Sequence, residues 1–125
     1  MISKVSLLIL ASSLVVACSQ ASTSAPIPTL DPAQQQGQAV FNLRCAQCHA
    51  LLPETIVIGP SLAGIATRAA RRVDGYDAET YIERSILNPE VYLVEGFPNT
   101  MPTNFGRELT IEEFDALVAY LMTLK

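Results

Sequence analysis

The residues with the clearest chemistry lie in the run Cys45-Ala46-Gln47-Cys48-His49. Two thiols separated by two residues and followed by a histidine are typical of covalent haem attachment, in which each thiol adds to one vinyl group of the porphyrin. The adjacent imidazole can then bind the iron from one face. The spacing therefore predicts one covalently bound haem c, with His49 as an iron ligand.

Two other uses of this cysteine pair fit the sequence less well. A thioredoxin-like dithiol is expected within a βαβ pattern, and no strand alternation is visible along the chain. A structural zinc site needs four ligands, whereas Cys45, Cys48 and His49 supply three. The remaining cysteine, Cys18, belongs to the amino-terminal segment. Since the chain has one histidine, sites that need two are also excluded.

A second axial ligand would have to come from a residue type other than histidine. Of the three methionines, Met1 is expected to be lost with the amino-terminal signal. Met122 falls in an amphipathic helical pattern, where methionine usually fills the core. Met101 lies before Pro102 in an irregular stretch that can aim a thioether at a fixed point. We expect Met101 to bind the iron; the alternative is a vacant sixth position, which would favour ligand binding over electron transfer.

The amino terminus has the features of an export signal. Lys4 is the only charged residue before Asp31, and residues 5–17 are apolar or small. This stretch is shorter than the ~20 residues that a membrane-spanning helix needs. Its end, Leu14-Val15-Val16-Ala17-Cys18, resembles the lipoprotein box of bacteria, in which the cysteine is lipidated and becomes the new amino terminus. An ordinary secretory signal with an incidental cysteine, or an uncleaved signal anchor, is the alternative.

Three regions follow from this reading. Residues 1–17 are predicted to be a lipoprotein signal peptide, residues 18–30 a lipidated Cys18 with a flexible, uncharged tether, and residues 31–125 the folded domain. Acyl chains contribute about 0.8 kcal/mol per buried CH₂, so that two or three of them anchor a protein stably. The domain is expected in the bacterial cell envelope, outside the cytoplasmic membrane, on its periplasmic or extracytoplasmic face.

Helical patterns account for most of the domain. A helix is predicted to begin at Asp31-Pro32, a second to cover residues 62–72, and a third to follow Asp77 and stop at Asn88-Pro89. Residues 89–108 are predicted to form a long loop, and Thr110 with Glu113 a capping box. The last helix places its apolar residues on one stripe, namely Ile111, Phe114, Leu117, Val118, Leu121 and Met122. The fold class is therefore all-α, with four or five short helices and long loops.

Composition and charge exclude one class of partner. The 125 residues include 12 acidic and 8 basic side chains, giving a net charge of −4, which does not favour nucleic-acid binding. Three of the bases, Arg68, Arg71 and Arg72, lie close together. One of them could pair with the haem propionates, because arginine binds carboxylates bidentately; a solvated face is the equal alternative. Arg72, next to the turn at Gly75, is the residue that we select.

The domain from Asp31 to Lys125 resembles the class I cytochromes c at several motifs in the order of that family. The resemblance implies a role for each motif. Gly59-Pro60-Ser61-Leu62 is similar to the segment whose proline packs beside the haem histidine and whose carbonyl accepts a hydrogen bond from the imidazole. Met101-Pro102-Thr103-Asn104-Phe105 is similar to the axial methionine loop. The remaining matches are the helix-contact residues of the first and last helices, Gly37, Phe41, Leu117 and Tyr120.

A second resemblance concerns the setting of the domain. The run 88–92 together with Gly96-Phe97-Pro98 is similar to the cytochrome c domains of terminal oxidases and of alternative complex III. Mitochondrial-type carriers surround the haem edge with lysines, whereas the only lysine of this domain is Lys125. The docking partners of that group therefore do not transfer to this chain.

The resemblance implies a function. We expect a membrane-tethered monohaem electron carrier, not an enzyme, that passes single electrons from a quinol-oxidising donor to a higher-potential acceptor in a respiratory or photosynthetic chain. A fixed electron-transfer subunit of alternative complex III or of an oxidase is the first alternative. A haem peroxidase or gas sensor with an open iron site is the second.

Overall fold

A computed structural model describes residues 29–125, and this part of the chain is helical. Its elements are α1 (Pro32–Arg44), α2 (Ile65–Arg68), a 3₁₀ turn (Ala69–Arg71), α3 (Ala78–Leu87), α4 (Phe105–Glu108) and α5 (Ile111–Leu121). Strand pairing within the described range is limited to one isolated antiparallel bridge, between His49 and Ile56. The all-α prediction is confirmed.

The amino-terminal segment cannot be compared with its prediction. The predicted signal peptide 1–17, Cys18 and the tether up to residue 28 lie outside the described residues. Between residues 29 and 125, no helix is long and apolar enough to cross a membrane.

The first and last helices begin where the sequence indicates. The Asp31 carboxylate accepts a hydrogen bond from the Gln34 backbone N–H at 2.8 Å, and the Gln34 side chain accepts from the Asp31 N–H at 3.0 Å. Thr110 and Glu113 form the same reciprocal pair at 3.2 and 2.9 Å. Because these bonds satisfy amide groups that lack a partner within the helix, they fix the starts of α1 and α5 locally.

The contact between α1 and α5 depends on a glycine. A Cβ atom placed on Gly37 would lie 1.9 Å from the Ala116 carbonyl oxygen and 2.8 Å from the Tyr120 Cβ. Only glycine therefore allows the two backbones to approach this closely. One turn further along α1, the Phe41 ring packs against the Tyr120 ring with centroids 5.8 Å apart.

The core lies between these two helices and α3. Its most deeply buried large side chains are Phe41 and Leu117, at 2% and 1% exposure. No polar or charged side chain is fully buried in the range 29–125. The other main members of the cluster are Val40, Ile65, Tyr81, Ile82, Ile86, Phe105, Val118, Tyr120 and Leu121.

Three details of the helix prediction are wrong. The second helix does not cover residues 62–72, because Gly64 adopts a left-handed conformation (φ 67°) and α2 can begin only after it. The predicted loop 89–108 contains the short helix α4 at its end. Ile111, assigned to the buried stripe of α5, is 76% exposed; helical periodicity identifies the inner face but not where along that face the packing begins.

We predict that Gly37→Ala weakens the α1–α5 contact. The added methyl group meets backbone, which cannot rotate away, so the helices must separate, at a cost of about 3 kcal/mol in the free energy of unfolding. Gly106→Ala in α4 is the matched control, because its Cβ would meet only the Leu87 Cδ2 atom, at 3.3 Å. Denaturant unfolding of both variants measures the difference, and equal stability of the two would contradict this account of the contact.

Candidate functional site

The residues that the sequence assigns to the haem site within the described range meet at one cavity of about 290 Å³. Its walls are largely apolar and come from α3, α5 and the loop before α4, with Ile82, Ile86 and Leu117 among them. The predicted site residues that line it are Cys45, Cys48, His49, Pro60, Arg72 and Met101.

The end of α1 carries both thiols to the cavity. The Cys45 N–H caps the helix by donating to the Phe41 carbonyl at 2.8 Å. The Cys48 and His49 amides then donate to the Cys45 carbonyl at 3.0 and 2.9 Å, which continues the chain as one tight turn. Both thiols are free, as addition to two vinyl groups requires.

The Cys45 thiol is the more unusual of the two. Burial, and to a smaller degree the neighbouring Cys48, raise the pKa of the Cys45 thiol from 9.0 to about 11, while Arg44 opposes the shift. At neutral pH this thiol is therefore uncharged. The cavity wall beside it keeps its apolar character before any attachment chemistry.

The imidazole of His49 is held in one tautomer. His49 Nδ1 lies 2.8 Å from the Pro60 carbonyl oxygen. Because a carbonyl can only accept, Nδ1 carries the proton and Nε2 keeps a free lone pair. A histidine whose second nitrogen donates to a carbonyl is arranged as metal-binding histidines usually are.

The chain after His49 folds back to bring Pro60 into place. The Ile58 and Gly59 amides donate to the Cys48 carbonyl at 3.2 and 2.8 Å, and Leu62 N–H donates to the Ala50 carbonyl at 2.8 Å. A Cβ atom on Gly59 would lie 2.5 Å from His49 Cε1. Glycine is therefore the residue that leaves room for the imidazole at this position.

The structure separates the two candidate methionines. Met101 lines the cavity, whereas Met122, the residue that caps the end of α5, is not among the lining residues. Both are partly buried against the core. The thioether of Met101 is thus the one that shares the cavity with His49.

The three arginines that the sequence analysis grouped together differ in their positions relative to the cavity. Arg68 and Arg72 line the cavity and Arg71 does not. Arg68 donates to the carbonyls of Ser61 and Ala63, directly after Pro60. Burial, followed by the charge of Arg72, lowers the pKa of Arg68. The sequence analysis missed the role of Arg68 as a brace of the Pro60 segment, because helical spacing places both Arg71 and Arg72 near Arg68 and does not distinguish the three.

These residues fit a covalently bound haem. Two free thiols, an imidazole with a free Nε2 and a thioether surround an apolar cavity, and the glycine beside the imidazole leaves space for it. No group of three or more His, Cys, Asp or Glu side chains that could hold a metal ion is found in the part of the chain described.

Comparison with known proteins decides the family. The family model described as Cytochrome c matches residues 34–125. The chain belongs to the cytochrome c family. Its cofactor is haem c, an iron porphyrin bound covalently, and Cys45 and Cys48 fit the attachment motif of the family. The activity supported for this cytochrome c is electron transfer.

The proteins to which this chain is similar include one curated relative and two solved structures. The chain is 34% identical over 107 residues to cytochrome c oxidase subunit 2 of Bacillus sp. (strain PS3), a match that covers 80% of this chain and 28% of that protein. An engineered cytochrome c from Rhodothermus marinus superposes with a TM-score of 0.51 at 27% identity, covering 79% of this chain and 89% of the other. A cytochrome c from the same organism gives a TM-score of 0.46 at 24% identity, with 79% and 88% covered.

The cytochrome also presents an apolar loop beside the attachment motif. Leu52, Ile56, Val57 and Ile58 are exposed at 68%, 67%, 53% and 54%. The loop is held in place, since Ile56 is bridged to His49 and the Ser61 hydroxyl donates to the Leu52 carbonyl at 2.7 Å. A cluster of exposed apolar side chains on a fixed loop is typical of a surface that another molecule covers.

We predict that Arg68 and Arg71 differ in their contribution to stability. Arg68→Gln leaves two carbonyls beside Pro60 without their donor and should lower the free energy of unfolding by about 1–3 kcal/mol. Arg71→Gln removes the same charge from an exposed position and should stay within about 0.5 kcal/mol of the unmodified protein. Denaturant titration of the haem-bearing proteins gives both values; equal losses would show that Arg68 acts only through its charge.

Proposed function

We propose that this cytochrome is a membrane-tethered monohaem electron carrier. It takes single electrons from a quinol-oxidising donor and passes them to a higher-potential acceptor in a respiratory or photosynthetic chain. The observation that carries the proposal is the shared cavity of His49, with its tautomer fixed by Pro60, and Met101.

His49 Nε2 and Met101 Sδ are the two atoms of this chain that would bind the haem iron. His49 has a free lone pair only at Nε2, and Met101 is the methionine that lines the cavity. With both side chains bound, this chain would not have to gain or lose a ligand when the charge of the iron changes. A neutral imidazole and a thioether together favour a comparatively high reduction potential.

The bound haem supplies the exchange between ferrous and ferric iron. The chain supplies the environment that sets how readily this exchange occurs. The apolar walls from α3 and α5 disfavour the additional positive charge of the oxidised state, since an apolar surrounding stabilises charge poorly. They therefore act in the same direction as the thioether ligand.

Arg72 is assigned to the haem propionates. It lines the cavity and is partly buried. Of its two neighbours, Arg68 is engaged with backbone carbonyls and Arg71 lies outside the cavity lining. A guanidinium at this position can pair with carboxylates bidentately.

The tether is proposed from the amino-terminal sequence. Removal of residues 1–17 would leave a lipidated Cys18 joined to the domain by the uncharged segment up to residue 30. Fully extended, such a segment reaches roughly 40 Å at ~3.3 Å per residue. The domain, residues 31–125, could then meet partners at the outer side of the cytoplasmic membrane while remaining attached to it.

A fixed subunit of a larger complex is the second candidate, and two observations favour it. The fixed apolar loop beside Cys48 has the character of a covered surface. The 34% identical relative is a subunit of cytochrome c oxidase by name. In this case the cytochrome would transfer electrons within an oxidase or a quinol-oxidising complex.

A peroxidase or gas sensor would require an open position on the iron. The location of Met101 in the cavity favours the carrier over this class. The two possibilities differ in whether the reduced protein binds carbon monoxide, because binding requires an open position on the iron.

We predict that Met101→Ala opens the iron. The reduced variant should bind carbon monoxide at neutral pH, because the ligand that occupies the sixth position is lost. Met122→Ala, which shortens a methionine outside the cavity lining, should behave like the unmodified protein. The change in the visible haem spectrum on adding carbon monoxide measures this; binding by the unmodified protein, or none by Met101→Ala, would overturn the ligand assignment.

We predict that Cys18→Ser detaches the cytochrome from membranes. Without the thiol no lipid can be added, so the anchoring free energy of the acyl chains is lost. Fractionation of cells, followed by haem absorbance and by mass analysis of the amino-terminal peptide, measures the distribution. The tether would be contradicted if the chain without the substitution were found in the soluble fraction, or if its Cys18 carried no acyl chain.

The same membranes distinguish a carrier from a subunit. After gentle solubilisation, native electrophoresis should show the haem of the unmodified chain in a small, separate species. Co-migration with a large complex that survives salt and additional detergent would instead establish the fixed subunit.

A further inference from the structure

The carboxylate of Glu108, the last residue of α4, contacts two residues that lie far apart from each other in the sequence. Arg44 Nη1 lies 3.4 Å from Glu108 Oε2, and Asn104 Nδ2 donates to Glu108 Oε1. Arg44 ends α1 and directly precedes Cys45. Asn104 precedes α4 and lies three residues after Met101. One side chain therefore joins the attachment motif to the methionine segment.

The segment that carries Met101 has few other hydrogen bonds. In the described residues, the one backbone hydrogen bond formed by residues 98–103 is local, from Thr100 N–H to the Pro98 carbonyl at 2.9 Å. The side chains of residues 98–103 form no hydrogen bonds to any part of the described range 29–125. The position of Met101 thus depends on packing and on what holds the residues that follow it.

Asn104 is the first residue after this segment that is firmly held. Its carbonyl accepts from the Arg107 and Glu108 amides at 2.9 and 3.2 Å, and its side chain donates to the Glu108 carboxylate. Phe105 next to it is 8% exposed and belongs to the core. Asn104 and Glu108 therefore belong to one hydrogen-bonded turn, and Arg44 pairs with that turn from the end of α1.

We propose that Glu108 is a positioning residue that keeps the Met101 segment closed over the cavity by linking Arg44 to Asn104. The proposal rests on the assignment of Met101 as an iron ligand. Glu108 acts through the chain that carries the thioether and contacts neither the cavity thiols nor the imidazole.

The exposure of the pair decides which measurement reveals it. The side chains of Arg44 and Glu108 are 41% and 40% exposed, so the pair contributes little to the free energy of global unfolding. A segment with few contacts of its own opens locally at much lower free energy than the whole domain. Loss of the link should therefore increase local opening and leave global unfolding almost unchanged.

The test measures how well an external ligand competes with Met101 in the oxidised, haem-bearing protein. Imidazole is the probe, titrated at constant low ionic strength. Glu108→Gln and Arg44→Gln should each tighten its apparent binding by roughly threefold, consistent with loss of an exposed ion pair. The double variant should show no further tightening, because both substitutions remove the same link. The guanidinium midpoint should stay unchanged, because guanidinium chloride is itself a salt and screens the exposed pair in all the variants.

Glu112→Gln is the matched control, since it removes one exposed acidic charge near the start of α5. Equal imidazole affinities of Glu108→Gln and Glu112→Gln would show that the effect comes from the change in net charge alone, and would overturn the proposal. So would additive effects of Arg44→Gln and Glu108→Gln, or a parallel fall in the unfolding midpoint. If Met101→Ala itself does not increase the affinity for imidazole or carbon monoxide, the ligand assignment fails, an outcome distinct from failure of the link.

Discussion

The hydrogen bond from His49 Nδ1 to the Pro60 carbonyl is the interaction on which the rest of the site depends. It fixes the tautomer and leaves Nε2 as the single nitrogen able to bind metal. Several neighbouring features serve it: Gly59 leaves room for the ring, the backbone bonds to Cys48 bring Pro60 back towards the motif, and Arg68 holds the carbonyls that follow. The irregular segment after the motif is thus a support for one imidazole.

The helices surround a cavity, and their side chains alone do not fill the interior of the domain. The α1–α5 contact, made possible by Gly37, sets the position of the attachment motif at the end of α1. The walls contributed by α3 and α5 are apolar, and the described range has no fully buried charge. Short helices joined by long loops bury little surface by themselves. A covalently held haem in the cavity would supply the apolar volume that such a small domain lacks.

Features encoded locally could be predicted from the sequence. The helix start at Asp31-Pro32 and the capping box of Thr110 and Glu113 depend on residues at most three positions apart, and the attachment motif depends on five consecutive residues. Features set by long-range packing could not. The shortened α2 follows from the left-handed Gly64, and the Arg44–Glu108 contact joins positions 64 residues apart, which no periodicity reveals. The choice among the three arginines needed the cavity, because only the structure shows which of them line it.

The central claim is that His49 and Met101 both remain on the iron while one electron is exchanged. An optical redox titration of the purified cytochrome tests this most directly. The account predicts a single one-electron transition between two low-spin, six-coordinate spectra. A high-spin or five-coordinate spectrum in either state, or a transition accompanied by loss of the methionine ligand, would contradict it.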